Sequence, residues 1–292
     1  MKLARFAGEN GARLGVVTGG NIVPLDSLAA TYPTMMSIVA GGDAALASVR
    51  AVADAGEAAI ALDSVTLLAP IERPGKYLAI GMNYAKHAAE AATLGIATPM
   101  HQLWFNKQTT CLAGPHDDID PGVTEQLDYE VELAVVMGKL AKGVSEADAK
   151  NHVFGYTVAN DVSARDWQMH TPTFTMGKSF DTHGPIGPWI VTADEIGDPH
   201  DLRLTCHVNG EVRQDSTTSQ LVANVWQQIA YLSTAFTLEP GDLIATGTPE
   251  GVGIAMQPQV FLQAGDVVRC EVERIGVIEN KVGSAAARTE PG

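Results

Sequence analysis

Positive charge is scarce in this chain. Nineteen Lys and Arg stand against 34 Asp and Glu, a formal net charge of −15 over 292 residues. A surface of that sign repels a phosphate backbone or an anionic membrane, so neither nucleic acid nor membrane is an expected partner. A small anionic ligand would need a local cation, from a metal or from a buried Lys or Arg. Cysteine is scarce too: Cys111, Cys206 and Cys270 are odd in number, widely spaced and without metal-type pairing. Reduced, buried thiols in a cytoplasmic protein are the expectation. No stretch approaches the roughly 18 consecutive apolar residues of a membrane span. The opening Met1–Phe6 leads into glycine and charge, so no signal peptide is visible. Internal repeats and low-complexity tracts are also lacking. What remains is a globular balance, 46% hydrophobic and 18% charged, with ample length for a core.

Composition shifts near residue 70, where Pro70 and Pro74 punctuate the chain. Before it lie short strand-like runs, Lys2–Phe6, Leu14–Val17 and Asn21–Leu25, with Gly19-Gly20 as a hairpin turn. An Ala-rich stretch, Ala44–Ala61, reads as one or two helices. After it the chain is strand-rich: Tyr77–Gly81, Leu127–Met137, Phe154–Asn160, Ile186–Val191, Leu202–Val208, Leu243–Thr246 and Val267–Ile275. Asn209-Gly210 predicts a hairpin turn. Ser145 predicts the cap of a short helix, and Ser219 that of a longer one with Leu221, Val225, Ile229, Leu232 and Phe236 on one stripe. The expected division is 1–70 as a small N-terminal domain, 71–283 as the main domain, and 284–292 as a frayed tail.

Three carboxylates carry most of the chemistry. Leu127–Met137 alternates polar and apolar residues, and residues two apart on a strand share a face at a spacing of about 7 Å. Glu130 and Glu132 then look one way, while Tyr129, Val131, Leu133 and Val135 look the other. Two like charges on an apolar strand repel and lose hydration unless a cation lies between them. Asp161 ends a second apolar run, Gly155–Asn160. Oxygen-only ligands favour a hard ion, Mg²⁺ or Mn²⁺, with Ca²⁺ also admissible. The competing reading is a polar strand face open to water.

Other groups are weaker alone. His87 and Glu90, three apart on a helix, share a face, and the acid can raise the basicity of the ring; a surface His near a Glu fits the same pattern. Lys178, in Gly177-Lys178-Ser179-Phe180-Asp181, is either a solvated loop charge or a buried cation. Arg165 can fork onto a substrate carboxylate or simply pair with Asp166. Gly247–Gly253 lacks the spacing of a phosphate loop and reads as a tight loop offering backbone groups and the Thr248 hydroxyl.

Gly81-Met82-Asn83-Tyr84 with His87 and Glu90, Leu127–Leu133, Asn160–Asp166, Gly177–Asp181 and Ala245–Pro249 together resemble the fumarylacetoacetate hydrolase family. The blocks stand in that family's order over about residues 71–283. The resemblance implies an α+β, mainly β protein: a mixed β-sandwich roll as catalytic domain, a small N-terminal domain, a divalent metal and a homodimer. It implies Glu130, Glu132 and Asp161 as metal ligands, His87 and Glu90 as the dyad of a lid, and Lys178, Gln168, Arg165 and Thr248 as substrate-contacting. The namesake's further acidic ligand upstream of the His has no counterpart in Leu78-Ala79-Ile80-Gly81. That points to the smaller acylpyruvase, isomerase and decarboxylase branches.

The expected activity is metal-dependent hydrolysis of a C–C bond in a β-diketo acid such as an acylpyruvate, through a metal-bound enolate. His87, oriented by Glu90, would activate water; Lys178 and Gln168 would stabilise the oxyanion, and Arg165 would hold the far end of the substrate. Decarboxylation of a 2-oxo diacid and isomerisation of a hydroxy-dienoate are the enzymatic alternatives. A non-catalytic metal- and ligand-binding protein would need neither His87 nor Lys178. The segment 81–95, with Gly at both ends, is expected to close over the metal.

Overall fold

The computed structural model describes residues 1–9, 11–56, 58–93 and 99–284. The expected tail beyond Ser284, and Gly95 at the end of the expected lid, lie outside the described residues. The architecture is mainly β, as the resemblance implies. A long sheet runs in the order Ile60–Ala61, Asn21–Pro24, Gly11–Thr18, Lys2–Gly8, Gly184–Thr192, Val153–Asn160, Val131–Met137, Leu243–Ala245, Tyr77–Gly81, Leu103–Lys107. The N-terminal strands therefore continue the sheet of the main domain, through antiparallel pairing of Lys2–Gly8 with Gly184–Thr192. A second sheet, ordered Glu211–Thr217, Arg203–Val208, Val267–Val272, Gly276–Lys281, packs on one face of the first.

The Val131–Met137 strand is buried along its whole length because both sheet faces are covered. Val131, Leu133, Val135 and Met137 pack with Leu204, Cys206, Val268 and Ile278 of the second sheet. Ala134 and Val136 face the other way, toward Tyr77, Ala79 and Phe105 and the helix Met35–Ala55. Alternation thus sorts apolar side chains between two cores, and the acid at 132 falls on the second side.

Local boundaries differ from expectation where polar side chains intervene. Thr34 and Ser37 form a reciprocal capping box, so the N-terminal helix is Met35–Ala55 instead of Ala44–Ala61. It bends at Gly42 and ends at Gly56 (φ 64°). By length and composition it is the one described helix apolar enough to cross a membrane, yet it buries Met35, Ile38, Val39, Ala45 and Val49 in the core. The later helix is Val225–Ala235, capped by Asn224 with Gln227; Ser219 lies in a preceding helical turn, Thr218–Gln220. The expected strand Val267–Ile275 is a hairpin, Val267–Val272 with Gly276–Lys281, turned at Arg274 (φ 65°). Leu127–Met137 is also two pieces, and that break builds the site.

Candidate functional site

Leu127–Asp128 pairs with Ser163–Ala164, and Val131–Met137 pairs with Val153–Asn160, in one continuing antiparallel run. Between the pieces, Glu130 and Asp161 leave the ladder opposite each other. Side chains and one remaining backbone bond replace the missing ladder: Asn160 Oδ1 accepts from Glu130 N–H (3.0 Å), Gln214 Oε1 accepts from Val131 N–H (3.0 Å), and Asp161 N–H donates to Glu130 O (2.9 Å). The break swings two carboxylates toward Glu132. Ligand oxygens of Glu130, Glu132 and Asp161 all lie within 4.8 Å of one another. Their exposures of 5%, 1% and 0% exclude a polar strand face open to water.

Buried cations answer this negative charge, but not fully. Lys178 donates to Glu130 Oε2 (2.7 Å) and Asp161 Oδ2 (2.8 Å), so it is a buried cation and not a loop charge. Lys107 donates to Asp161 Oδ1 (2.5 Å). Arg165 donates through Nε to Asp128 (2.9 Å) and through Nη1 to Gln168 Oε1 (2.9 Å), while its Nη2 pairs with Glu130 (2.7 Å). Its acidic partner is thus Asp128 and not Asp166, the alternative its sequence neighbour offered, which receives Thr124 and the Glu125 N–H instead. With Arg165 balanced by Asp128, three carboxylates face two ammonium groups.

Glu132 bears the excess. Burial, then the charges of Asp161 and Glu130, push its carboxyl well above the usual range, and the Gly247 N–H (2.7 Å) offsets only part. Glu130 goes the other way: burial opposes its charge, but Lys178, Arg165 and His87 outweigh burial and hold it below the usual range. A cluster of oxygen donors short of positive charge is what a hard divalent cation fits. Glu130, Glu132 and Asp161 would hold it.

His87 and Glu90 stand across a cavity of about 90 Å³ from Glu130 and Lys178. They ride on the helix Ala85–Thr93, with Glu90 Oε2 3.4 Å from His87 Nδ1. Glu90 also accepts from Gly251 N–H (3.0 and 3.2 Å), and Lys86 pairs with Glu250 (3.1 Å). The loop after Leu243–Ala245 therefore serves both sides, Gly247 toward the triad and Gly251 toward the dyad. Gly251 has φ +100°, and a Cβ there would sit 2.1 Å from Arg213 O, so only glycine fits. Thr248 lines the cavity, yet its hydroxyl donates to Val131 O (3.0 Å) and accepts from Gln214 (2.8 Å). Gln168 also lines it, its Oε1 held by Arg165 and its amide N–H groups without a hydrogen-bond partner among the described residues. Leu103, Phe105, Phe174 and Ile254 form apolar wall.

Of the nine residues singled out in the sequence, seven line this cavity, and the other two, Glu132 and Asp161, lie beside Glu130 in the carboxylate cluster. Lys107, Asp128, Asn83 and Gln214 were missed. Strand spacing carries a signal for two of them. Asp128, Glu130 and Glu132 are each two apart, and Lys107 is two beyond Phe105 in Leu103–Lys107, a strand the reading overlooked. Asn83 and Gln214 act through long-range hydrogen bonds to backbone, which leave no local pattern.

Residues 76–283 match the family described as "Fumarylacetoacetate (FAA) hydrolase C-terminal". The chain belongs to the fumarylacetoacetate hydrolase family. Residues 1–70 match a second family, "Rv2993c-like, N-terminal". Oxaloacetate tautomerase FAHD2A, mitochondrial, from Bos taurus is 43% identical over 290 residues, covering 97% of this chain and 91% of that one. A fumarylacetoacetate hydrolase from psychrophilic Exiguobacterium antarcticum superposes with a TM-score of 0.83 at 37% identity, covering 97% and 99% of the two chains. Maleylpyruvate hydrolase from Sphingobium sp. SYK-6, in complex with manganese(II) and pyruvate, gives 0.83 at 34% identity over 98% and 100%. The chain is therefore that of an enzyme of this family, with an acidic triad able to bind a divalent metal.

Proposed function

We propose that this enzyme interconverts the keto and enol forms of a small 2-oxo dicarboxylate of the oxaloacetate class. The observation that supports this most is one cavity lined by Lys178, by the His87–Glu90 pair and by Glu130, whose carboxylate belongs to the cation-seeking triad with Glu132 and Asp161. At about 90 Å³ the cavity suits a compact acid better than a long acyl chain. Relatives 43% identical over almost the whole chain are named oxaloacetate tautomerases, which points the same way. When bound by Glu130, Glu132 and Asp161, Mg²⁺ or Mn²⁺ supplies Lewis acidity toward a 2-oxo acid and gives the local site a net positive charge. Ca²⁺, also an oxygen-seeking hard ion, fits the same donors.

Toward the enol, His87 takes the proton from the carbon beside the 2-oxo group and the 2-oxo oxygen gains one from solvent. Toward the keto form His87 gives a proton to that carbon as the enol oxygen loses its own, and Glu90 holds the ring. Lys178, already desolvated, donates to the oxygen on which charge develops. Gln168 turns its free amide donors to the substrate, and Arg165 orients that amide. Thr248 shapes the wall more than it binds, because its hydroxyl is already engaged.

Hydrolysis of a C–C bond in an acylpyruvate-like β-diketo acid is the second reading. It needs the same residues, with His87 acting on a water, and is favoured by the likeness to maleylpyruvate hydrolase. Assaying the Mn²⁺-loaded protein on enol-oxaloacetate, while following loss of enol, release of CO₂ and release of pyruvate from acylpyruvates, separates the readings. Accelerated enol loss without CO₂ or cleavage is expected. Cleavage of acylpyruvates with no effect on the enol would replace tautomerisation by hydrolysis, and CO₂ release would replace it by decarboxylation.

A further inference from the structure

Asn83 follows the strand Tyr77–Gly81 and precedes the helix that carries His87. It is 2% exposed and every polar group on its side chain is used. Its Nδ2 donates to Thr246 O (2.8 Å) and Ala223 O (3.0 Å), and its Oδ1 accepts from Ala223 N–H (2.8 Å). Its own carbonyl accepts from Val222 N–H (2.7 Å). Three distant segments thus meet at one amide.

The segment at 246 matters most. Thr246 N–H and Oγ1 both donate to Leu133 O, at 3.0 and 2.9 Å, which fixes it to the strand bearing Glu132. The next residue, Gly247, donates to Glu132 Oε2. Gly247 has φ +104°, and a Cβ there would lie 2.7 Å from Asn83 Cβ, so the Gly247 backbone packs closely against the Asn83 side chain. On the other side of Asn83, Met82 is held at φ +56°, a costly conformation for a side chain of its size, and it lines the cavity. A left-handed turn persists only where its surroundings hold it, and the Asn83 bonds supply that hold.

We infer that Asn83 is a positioning residue that pins the pivot of the His87 helix to the strand end carrying Gly247, and so sets the approach of His87 to the carboxylate triad. Along the helix itself, the Lys86–Glu250 and Glu90–Gly251 contacts tie it to its surroundings, each involving a partly exposed side chain. The pivot is the buried tie. A structural amide of the core would affect all variants alike, whereas a positioning residue acts only through the group it positions. The inference rests on the proposed role of His87 in proton transfer.

The test is a double-variant cycle on the Mn²⁺-loaded enzyme with enol-oxaloacetate, using Asn83→Ala, His87→Ala and the pair, with amide hydrogen exchange over Tyr84–Glu90. Asn83→Ala should lower kcat on the order of 10²-fold with little change in KM, the scale of a misplaced group. In the His87→Ala background the same change should cost almost nothing. Exchange over Tyr84–Glu90 should quicken while Val131–Met137 stays protected. Effects that multiply in the pair, or unchanged exchange over Tyr84–Glu90, would overturn the inference. Wild-type rates for His87→Ala would instead remove His87 from the reaction, and exchange alone would then decide whether Asn83 holds the helix. If Asn83→Ala does not fold, Asn83→Ser, which keeps a small polar group but loses both amide donors, takes its place in the cycle.

Discussion

The two walls of the cavity are built to opposite specifications. The triad sits on and at the ends of central strands with both sheet faces covered, and backbone or buried side-chain donors hold its members. The dyad sits on a nine-residue helix, its His87 and Glu90 side chains 14% and 29% exposed and 3.4 Å apart. Burial makes charge expensive, so the triad wall is held by many hydrogen bonds and by buried cations that balance part of its charge. Partial exposure makes it cheap for the dyad wall to shift. A fixed ligand set opposite an adjustable proton-transfer group is what an enzyme needs if substrate must enter before the group is aligned.

The largest effect should come from breaking the fixed wall. Glu132→Gln removes one ligand charge while keeping an acceptor for the Gly247 N–H. Mn²⁺ affinity should fall by more than the roughly 10–100-fold that loss of an outer partner costs. Turnover should drop to background. The metal-free protein should melt no lower than wild type, because the substitution relieves the repulsion that keeps Glu132 from ionising. Titrating Mn²⁺ into both proteins and melting both without metal checks each part. Unchanged Mn²⁺ affinity would dissolve the distinction between the walls.

The same contrast explains what was readable in the sequence. Glu130 and Glu132 announced themselves because strand alternation fixes which residues share a face, and the core against the second sheet takes Tyr129, Val131, Leu133 and Val135 away from them. His87 and Glu90 followed from helical spacing in the same way. What stayed hidden was the break at Tyr129–Glu130, since a bulge-like departure from pairing depends on Asn160 and Gln214 arriving from elsewhere. Ser219 failed as a cap for a related reason. The chain at Val222-Ala223 is bonded to Asn83, so the helix starts only after it, at a capping box of Asn224 with Gln227. Lys107 was missed because its strand is an edge strand with mixed exposure.

Lys178 belongs to the fixed wall but reaches toward the substrate, so its variant tests where the two walls meet. Lys178→Met keeps the length and apolar contact with Phe105, whose ring lies 5.0 Å from Nζ. If the ammonium stabilises developing negative charge, kcat and kcat/KM should fall together by about 2–4 kcal/mol of transition-state stabilisation. If it only gathers an anionic substrate to a protein of charge −15, KM should rise with kcat unchanged. Steady-state kinetics of this one variant decides between them. No change in either parameter would leave Lys178 as a counter-ion of the triad and nothing more.

The smallest effect concerns stability of the fixed wall and involves His183, at the far end of the Lys178 loop. Its ring stacks on Phe180, with centroids 5.1 Å apart, and Nε2 lies 2.9 Å from Asp120 O. Nε2 must carry the proton to donate there, which leaves buried Nδ1 without a partner among the described residues. Burial first, and then the Lys107 charge, push the imidazole down to about 4, with the Asp120 carbonyl opposing. Above pH 6.5 the ring is neutral in both folded and unfolded chains, and the group does not weaken the fold. As pH falls from 6.5 toward 4, the unfolded chain takes up a proton that the folded one refuses, and stability drops by up to about 3 kcal/mol. Below about 4 both forms are protonated and the loss levels off. His183→Gln keeps a donor for Asp120 and cannot titrate. Urea midpoints measured from pH 8 to pH 4 should therefore converge: the variant starts at or below wild type, then declines less steeply across that window. Parallel curves would mean that the imidazole titrates as it does in water and that this part of the fixed wall is open to solvent.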